Sequence, residues 1–269
     1  MTPSGIVTLL SDFGLEDPYV GVMKGALLRQ AAGLQLVDLS HAIPPQSVLS
    51  GAFWLTRVWR NFPSGTVHLA VIDPGVGSAR HGIVVVAHEH YFVGPDNGLL
   101  SAIHASDPRA QAWVIDRVEL ALPAPSRTFH GRDVFAPVAA RLAAGILEPS
   151  TVGQPLLQLA PSVLPLPFQR AAEFVGQVMT VDHFGNALTN LSRAHITANS
   201  SEIHAGGRSL RLLSTYSEAA VGEAFALFDS FDGLELAVRD GHAARTLALS
   251  VGSEVVLRER SGPVTPTQP

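Results

Sequence analysis

Along the first half of the chain, short runs of apolar residues alternate with stretches in which apolar positions recur every three or four residues. The runs "IVTLLSD", "LQLVDLS", "TVHLAVID", "GIVVVAHE", "YFVGPD" and "AWVID" predict strands, and helices fit Pro18–Ala32, Val48–Phe62, Gly98–Ala105 and Asp133–Ala144. The first helix has a proline near its start, where a missing N–H costs little. Strand and helix in alternation from Ile6 to about Gly145 indicate an α/β layer on a mainly parallel sheet.

After Gln154 the pattern changes. The stretch "QPLLQLAPSVLPLPFQR" carries four prolines, which disfavour helix and central strand alike. It predicts a linker over 155–170, between an N-terminal α/β domain at 1–160 and a second domain at 171–262. There "EFVGQVMTVD", "ALTNLS", "SEIHAGGRSLRL" with its Gly-Gly hairpin, "LELAV" and "EVVLRER" read as short strands bounded by turns. The expectation is a smaller all-β, barrel-like domain. The tail "SGPVTPTQP" is expected to be disordered, and no internal repeat stands out.

Composition narrows the function classes. The 269 residues are 46% hydrophobic and 15% charged, with a mean hydropathy of +0.24, so a large part of the surface must be neutral and suited to subunit contacts. A formal charge of −5 without a basic run argues against nucleic acid as a partner. With no cysteine, disulfides, thiolate nucleophiles and cysteine-held zinc are all excluded. The start "MTPSGIVTLLSDFG" lacks a basic n-region and no apolar run reaches spanning length, so a cytoplasmic protein away from the membrane is expected.

Acids gather where predicted strands end: Asp12, Asp73 and Asp96. In an α/β sheet the carboxyl ends of parallel strands open onto one crevice, so Asp12 and Asp73 are candidates to face one ligand. Singly, each also serves as an ordinary turn or cap residue. Arg80 follows Asp73 across the turn "PGVGSA", near enough to fold back onto the carboxylate, and His130 in "TFHGRD" stands at a helix entry. Arg, acid and His together can polarise a water without a metal, whereas Arg and acid alone can be a surface ion pair. The glycine turn lacks the phosphate-loop patterns. His88 and His90 in "AHEH" would alternate on one strand face with His81 nearby, but a ligand set of recognisable spacing is missing, and no metal site is expected. In the second domain, "DHFGNALTN" puts Asp182, Phe184 and Asn186 on a tight turn, offering a carboxylate for a cation, an aromatic face and an amide for a base edge.

The motifs "SDFGLEDPYVGVMKG", "FPSGTVHLAVIDPGVGSAR", "GPDNGLL", "TFHGRDVFAPVAA", "DHFGNALTN", "TYSEA" and "DSFDGLELAV" occur in the order seen in the S-adenosyl-L-methionine (SAM) hydrolases, or SAM hydroxide adenosyltransferases, relatives of the fluorinases and chlorinases. The resemblance runs over about residues 5–258. It implies that Asp73, Arg80 and His130 form the Asp-Arg-His set that holds and activates the attacking water, which the halogenating relatives lack. Asp12 then matches the acid on the ribose diol and Asp182 the acid facing the methionine ammonium, with Asp17 a second candidate for that role. Asn186 matches the adenine-edge residue, and Phe184 and Tyr216 the aromatics that pack on the base. Ser230, Phe231, Glu235 and Val238 fall on the C-terminal contact stretch. The activity implied is hydrolysis of SAM to adenosine and L-methionine without a cofactor, in a homotrimer with sites at subunit interfaces. A non-catalytic adenosine or SAM sensor and a SAM-dependent halogenase are the alternatives.

Overall fold

Val7 and Leu9 face one side of the first strand and Leu10 the other, and both sides are covered by buried apolar side chains. That double burial explains why the strands of the first half are apolar almost throughout. The computed structural model describes residues 1–171, 173–196 and 201–259. The chain divides into two compact units, Met1–Leu164 and Pro165–Pro269.

The first unit runs β1 (Ile6–Ser11), α1 (Tyr19–Gln30), β2 (Gln35–Ser40), α2 (Val48–Val58), β3 (Val67–Val71), β4 (Gly82–Ala87), β5 (His90–Pro95), α3 (Ser101–Ala105), β6 (Gln111–Val114) and α4 (Ala136–Ala143). Its sheet has the order β2-β1-β3-β5-β4-β6. Strands β2, β1, β3 and β5 are parallel, and β4 is antiparallel to both of its neighbours. Met23 and Leu27 of α1 and Val138 and Leu142 of α4 fill one face, while Leu55 of α2 and Ile103 of α3 fill the other. The six predicted strands are therefore present, on a sheet that is mainly parallel, as expected.

Two expectations need correction. His88 and His90 do not share a strand face: His88 and Glu89, both at positive φ (51° and 61°), form the two-residue turn between β4 and β5, and only His90 lies on a strand. Paired left-handed residues are what a tight hairpin requires, and the histidine tolerates it. The fourth helix does not start at Asp133, because Gly131–Phe135 form a π turn before α4 begins. The two units divide between Leu164 and Pro165, within the expected linker 155–170, and the part before the division is anchored. Leu156 donates its N–H to Ala112 and Val114 donates to Gln154, so the segment runs along the edge strand β6. Leu159, Val163 and Leu164 then pack on the core. Proline disfavours a central strand yet suits an edge, and β7 (Phe168–Arg170) follows directly.

The second unit continues with β8 (Glu173–Val181), β9 (Ala187–Ser192), β10 (Ser201–Ala205), β11 (Arg208–Leu212), β12 (Ala224–Phe228), β13 (Gly233–Val238), α5 (Ala243–Thr246) and β14 (Glu254–Glu259). Order β14-β10-β11-β12-β13-β9-β8, closed by β14 on β8, makes a seven-stranded barrel filled by Val178, Leu191, Leu234, Leu236 and Val255 among others. The Gly-Gly turn is as read: Gly206 and Gly207 take φ of 56° and 71° between β10 and β11. Strand β12, "AFALF", escaped the sequence reading because it is short and apolar without alternation. Residues 261–269, expected to be disordered, lie outside the described residues. Among the described residues, no helix is long and apolar enough to cross a membrane.

The parallel strands also carry a buried polar chain. Thr8 Oγ1 lies 2.8 Å from His68 Nδ1, and His68 Nε2 lies 3.1 Å from His90 Nδ1. Burial, reinforced by the neighbouring His90, pushes the His68 pKa down to about 3. The unfolded chain therefore binds a proton below pH 6.5 that folded His68 refuses, and stability falls as pH drops from 6.5 toward 3. His68→Asn is expected to flatten the dependence of unfolding free energy on pH between 6.5 and 5 by up to about 1.4 kcal/mol per pH unit at the acid end of that range. Denaturant titrations across that range check it, and an unchanged slope would refute the assignment.

Candidate active site

Strands β1 and β3 pair in parallel with Ser11 opposite Val71, so the residues leaving their carboxyl ends, Asp12 and Asp73, emerge side by side. Both line one cavity of about 280 Å³, together with Gln46, Phe13, Phe129 and His130. Asp96, after β5, is used otherwise: its carboxylate accepts from the N–H of Ala160 at 2.9 Å.

The turn after Asp73 brings Arg80 back as its spacing predicts. Arg80 Nε donates to Asp73 Oδ1 at 2.9 Å and Nη2 donates to Oδ2, a bidentate pair with side chains only 11% and 6% exposed. Nη2 also donates to His130 Nδ1 at 2.9 Å, uniting three residues drawn from two loops. Two glycines permit this. At Gly77, with φ 79°, a Cβ would stand 2.6 Å from the carbonyl of Arg127, so only glycine lets the Asp73 turn lie against the His130 loop. At Gly82 a Cβ would stand 2.7 Å from the ring of Phe135, over which the guanidinium sits at 5.2 Å. Asp133 stitches the His130 loop by accepting from Ser126 N–H at 2.7 Å while paired with Arg132.

Because guanidinium can only donate, His130 Nδ1 must accept, and neutral His130 therefore carries its proton on Nε2. Burial, and then the charge of Arg80, lower the His130 pKa, opposed by Asp73 and Asp133. The imidazole is thus neutral near pH 7, a hydrogen-bond donor through Nε2.

Sequence reasoning missed Gln46, Phe13 and Phe129. Gln46 sits at φ 64° and donates its backbone N–H to Asp12 Oδ2 at 2.7 Å. Nothing in "PPQS" signals that role. Phe13 and Phe129 form an aromatic wall with Tyr19, ring centroids 5.5 to 6.1 Å apart. Each adjoins a residue already singled out, a cue that was available. Asp17 is exposed ahead of α1 and is not among the residues that line the cavity.

The second unit presents its own group. Asp182 closes the β8–β9 turn by accepting from the backbone N–H of Asn186 at 2.8 Å and from its Nδ2 at 3.1 Å, while Phe184 at the tip is 75% exposed. Tyr216 donates to buried Glu235 at 2.6 Å. Burial, then that bond and the charges of Glu235, Asp182 and Asp229, raise the Tyr216 pKa and keep the phenol protonated. Ser230 and Phe231 lie exposed on the turn before β13, whose last residue Val238 is buried. Among the described residues, no cluster of His, Asp and Glu could hold a metal ion, and His81, His88 and His90 do not converge.

One outcome of this geometry is measurable directly. In ¹⁵N-labelled protein, His130 is expected to show the Nε2-protonated tautomer and to titrate below 6.5, and Arg80→Ala should move that titration upward by removing the repelling charge. An Nδ1-protonated ring, or a titration indifferent to Arg80, would contradict the geometry.

Comparison with known proteins places the chain in a family. Residues 7–153 match the SAM hydroxide adenosyltransferase N-terminal domain and residues 176–256 its C-terminal domain. The chain is 43% identical over 258 residues to a Thermus thermophilus protein named (R)-S-adenosyl-L-methionine hydrolase, covering 93% of this chain and 98% of the relative. A fluorinase from Nocardia brasiliensis is more distant, 28% identical over 71% of this chain and 72% of its own. The crystal structure of an uncharacterized conserved protein from Thermotoga maritima superposes with a TM-score of 0.86 at 33% identity, over 94% of this chain and 100% of that one. From the two matched domains and the length over which the relatives align, the chain belongs to the SAM hydroxide adenosyltransferase family.

Proposed function

We propose that the chain hydrolyses SAM to adenosine and L-methionine, using a water held by Asp73 and His130 in the cavity that Asp12 shares. The observation that carries this reading is the guanidinium of Arg80 joining Asp73 to His130 beside that cavity. In the reaction the water oxygen bonds to C5′ as the C5′–S bond breaks, and the electron pair leaves on sulfur as the neutral thioether of methionine. The proton goes to Asp73, since His130 spends its one lone pair on Arg80 and presents an N–H to the water. The sulfonium is already a good leaving group, so the protein's task is alignment, which can contribute about 7–11 kcal/mol. Relatives named for the (R) epimer support (R)-SAM as the substrate.

In this reading Asp12 binds the ribose hydroxyls, with one carboxylate oxygen fixed by Gln46 N–H. Asp182 meets the methionine ammonium, and Asn186, Phe184 and Tyr216 hold the adenine, while Ser230, Phe231, Glu235 and Val238 complete the contacts. Incubation of (R)- and (S)-SAM with the protein, followed by chromatography, tests the activity. Adenosine and methionine in equal amounts are expected. Retention of adenosine without turnover would make the protein a sensor, and halide-dependent 5′-halo-adenosine would make it a halogenase. Arg80→Ala is expected to lower kcat by about 10²–10³ while leaving adenosine affinity nearly unchanged.

We also propose a homotrimer in which Asp73 of one subunit and Asp182 of a neighbour serve the same substrate. Exposed apolar residues on α1, among them Tyr19, Val22 and Leu28, support a subunit contact there. Asp73→Ala and Asp182→Ala chains, each inactive alone, should then recover part of the activity when refolded together. Mixed trimers without recovery would put the whole site within one subunit.

A further inference from the structure

Beside the site, four residues of the first unit form a continuous hydrogen-bonded chain that the proposed reaction does not use. Lys24 of α1 donates to Asp38 Oδ2 at 2.6 Å, and His41 Nε2 donates to Asp38 Oδ1 at 3.1 Å. In the neutral ring His41 Nδ1, left as the acceptor, accepts a hydrogen bond from the Ser11 hydroxyl at 2.7 Å. Ser11 Oγ in turn accepts from the N–H of Phe13 at 3.4 Å. The trio looks like a serine hydrolase's, but the ring nitrogens are exchanged and Ser11 is fully buried, so it cannot serve as a nucleophile.

What the chain does touch is the turn that carries Asp12. Ser11 precedes Asp12 and Phe13 follows it, so the Phe13-to-Ser11 bond spans the acid from both sides. The carbonyl of His41 also accepts from Gly14 N–H at 2.8 Å, tying the same turn to the loop after β2. That loop supplies Gln46, whose N–H fixes Asp12 Oδ2 at 2.7 Å. A histidine only 1% exposed in its side chain thus joins the two loops that set the direction of the Asp12 carboxylate in the cavity.

We propose that His41, oriented by Asp38 and bonded to Ser11, is a positioning residue that aims Asp12 at the vicinal hydroxyls of the substrate's ribose. This rests on the reading of Asp12 given above and assigns the precision of that contact to residues outside the cavity.

The test compares calorimetric affinities for adenosine and for 2′,3′-dideoxyadenosine, which lacks both hydroxyls. His41→Leu and Ser11→Ala are each expected to weaken adenosine about ten-fold and to leave dideoxyadenosine as in the parent protein. Combined with Asp12→Ala, either should add nothing further, since they act through that carboxylate. Asp38→Asn, on the half-exposed end of the chain, provides a variant less prone to misfold and should give a smaller loss of the same kind. Equal weakening of both ligands, or no weakening by variants whose thermal unfolding remains cooperative, would overturn the positioning role. If Asp12→Ala itself fails to distinguish the two ligands, the ribose reading falls and takes this inference with it. If Asp12→Ala distinguishes them while the other variants do not, the inference alone is lost.

Discussion

A guanidinium has donors and no acceptor, and that asymmetry organises the site. Arg80 spends Nε and one Nη2 proton on Asp73 and the second Nη2 proton on His130. The ring nitrogen it occupies is thereby made an acceptor, and the other nitrogen is left carrying the proton. One side chain so fixes the position of a carboxylate, the tautomer of an imidazole and the approach of two loops. With both partners little exposed, the pair is costly to break, because a lone buried charge would remain.

The sheet makes this contact possible. Two parallel strands in register deliver Asp12 and Asp73 to the same edge, and the crevice beyond strand ends is where such sheets bind ligands. The glycines at 77 and 82 then remove the two side chains that would hold the loops apart. The geometry of the candidate site follows from backbone closeness first and from charge second.

Much of this was legible in the sequence. Apolar runs ending in Asp12 and Asp73 marked the strands and the acids at their tips, and the motif order pointed to the family whose two domains match the chain. Less legible was whatever depends on distant backbone. Gln46 acts through its N–H at a left-handed φ, which leaves no mark on residue type. The buried Thr8–His68–His90 chain and the His41 chain look in sequence like scattered polar residues, because their partners lie on neighbouring strands and loops. The proline-rich stretch does contain the division between the units, but that its first part lies along β6 was not legible, because proline says what a segment cannot donate, not what it can lie against.

The central claim is that Asp73 holds a water and does not itself attack C5′. A carboxylate at the cavity wall is chemically capable of both, the second route passing through an ester to adenosine. A single turnover in H₂¹⁸O, with enzyme in excess over SAM, separates the two. The account predicts adenosine carrying ¹⁸O at its 5′-hydroxyl in that first turnover and an unlabelled Asp73. Unlabelled adenosine, with ¹⁸O recovered in the peptide containing Asp73, would contradict it.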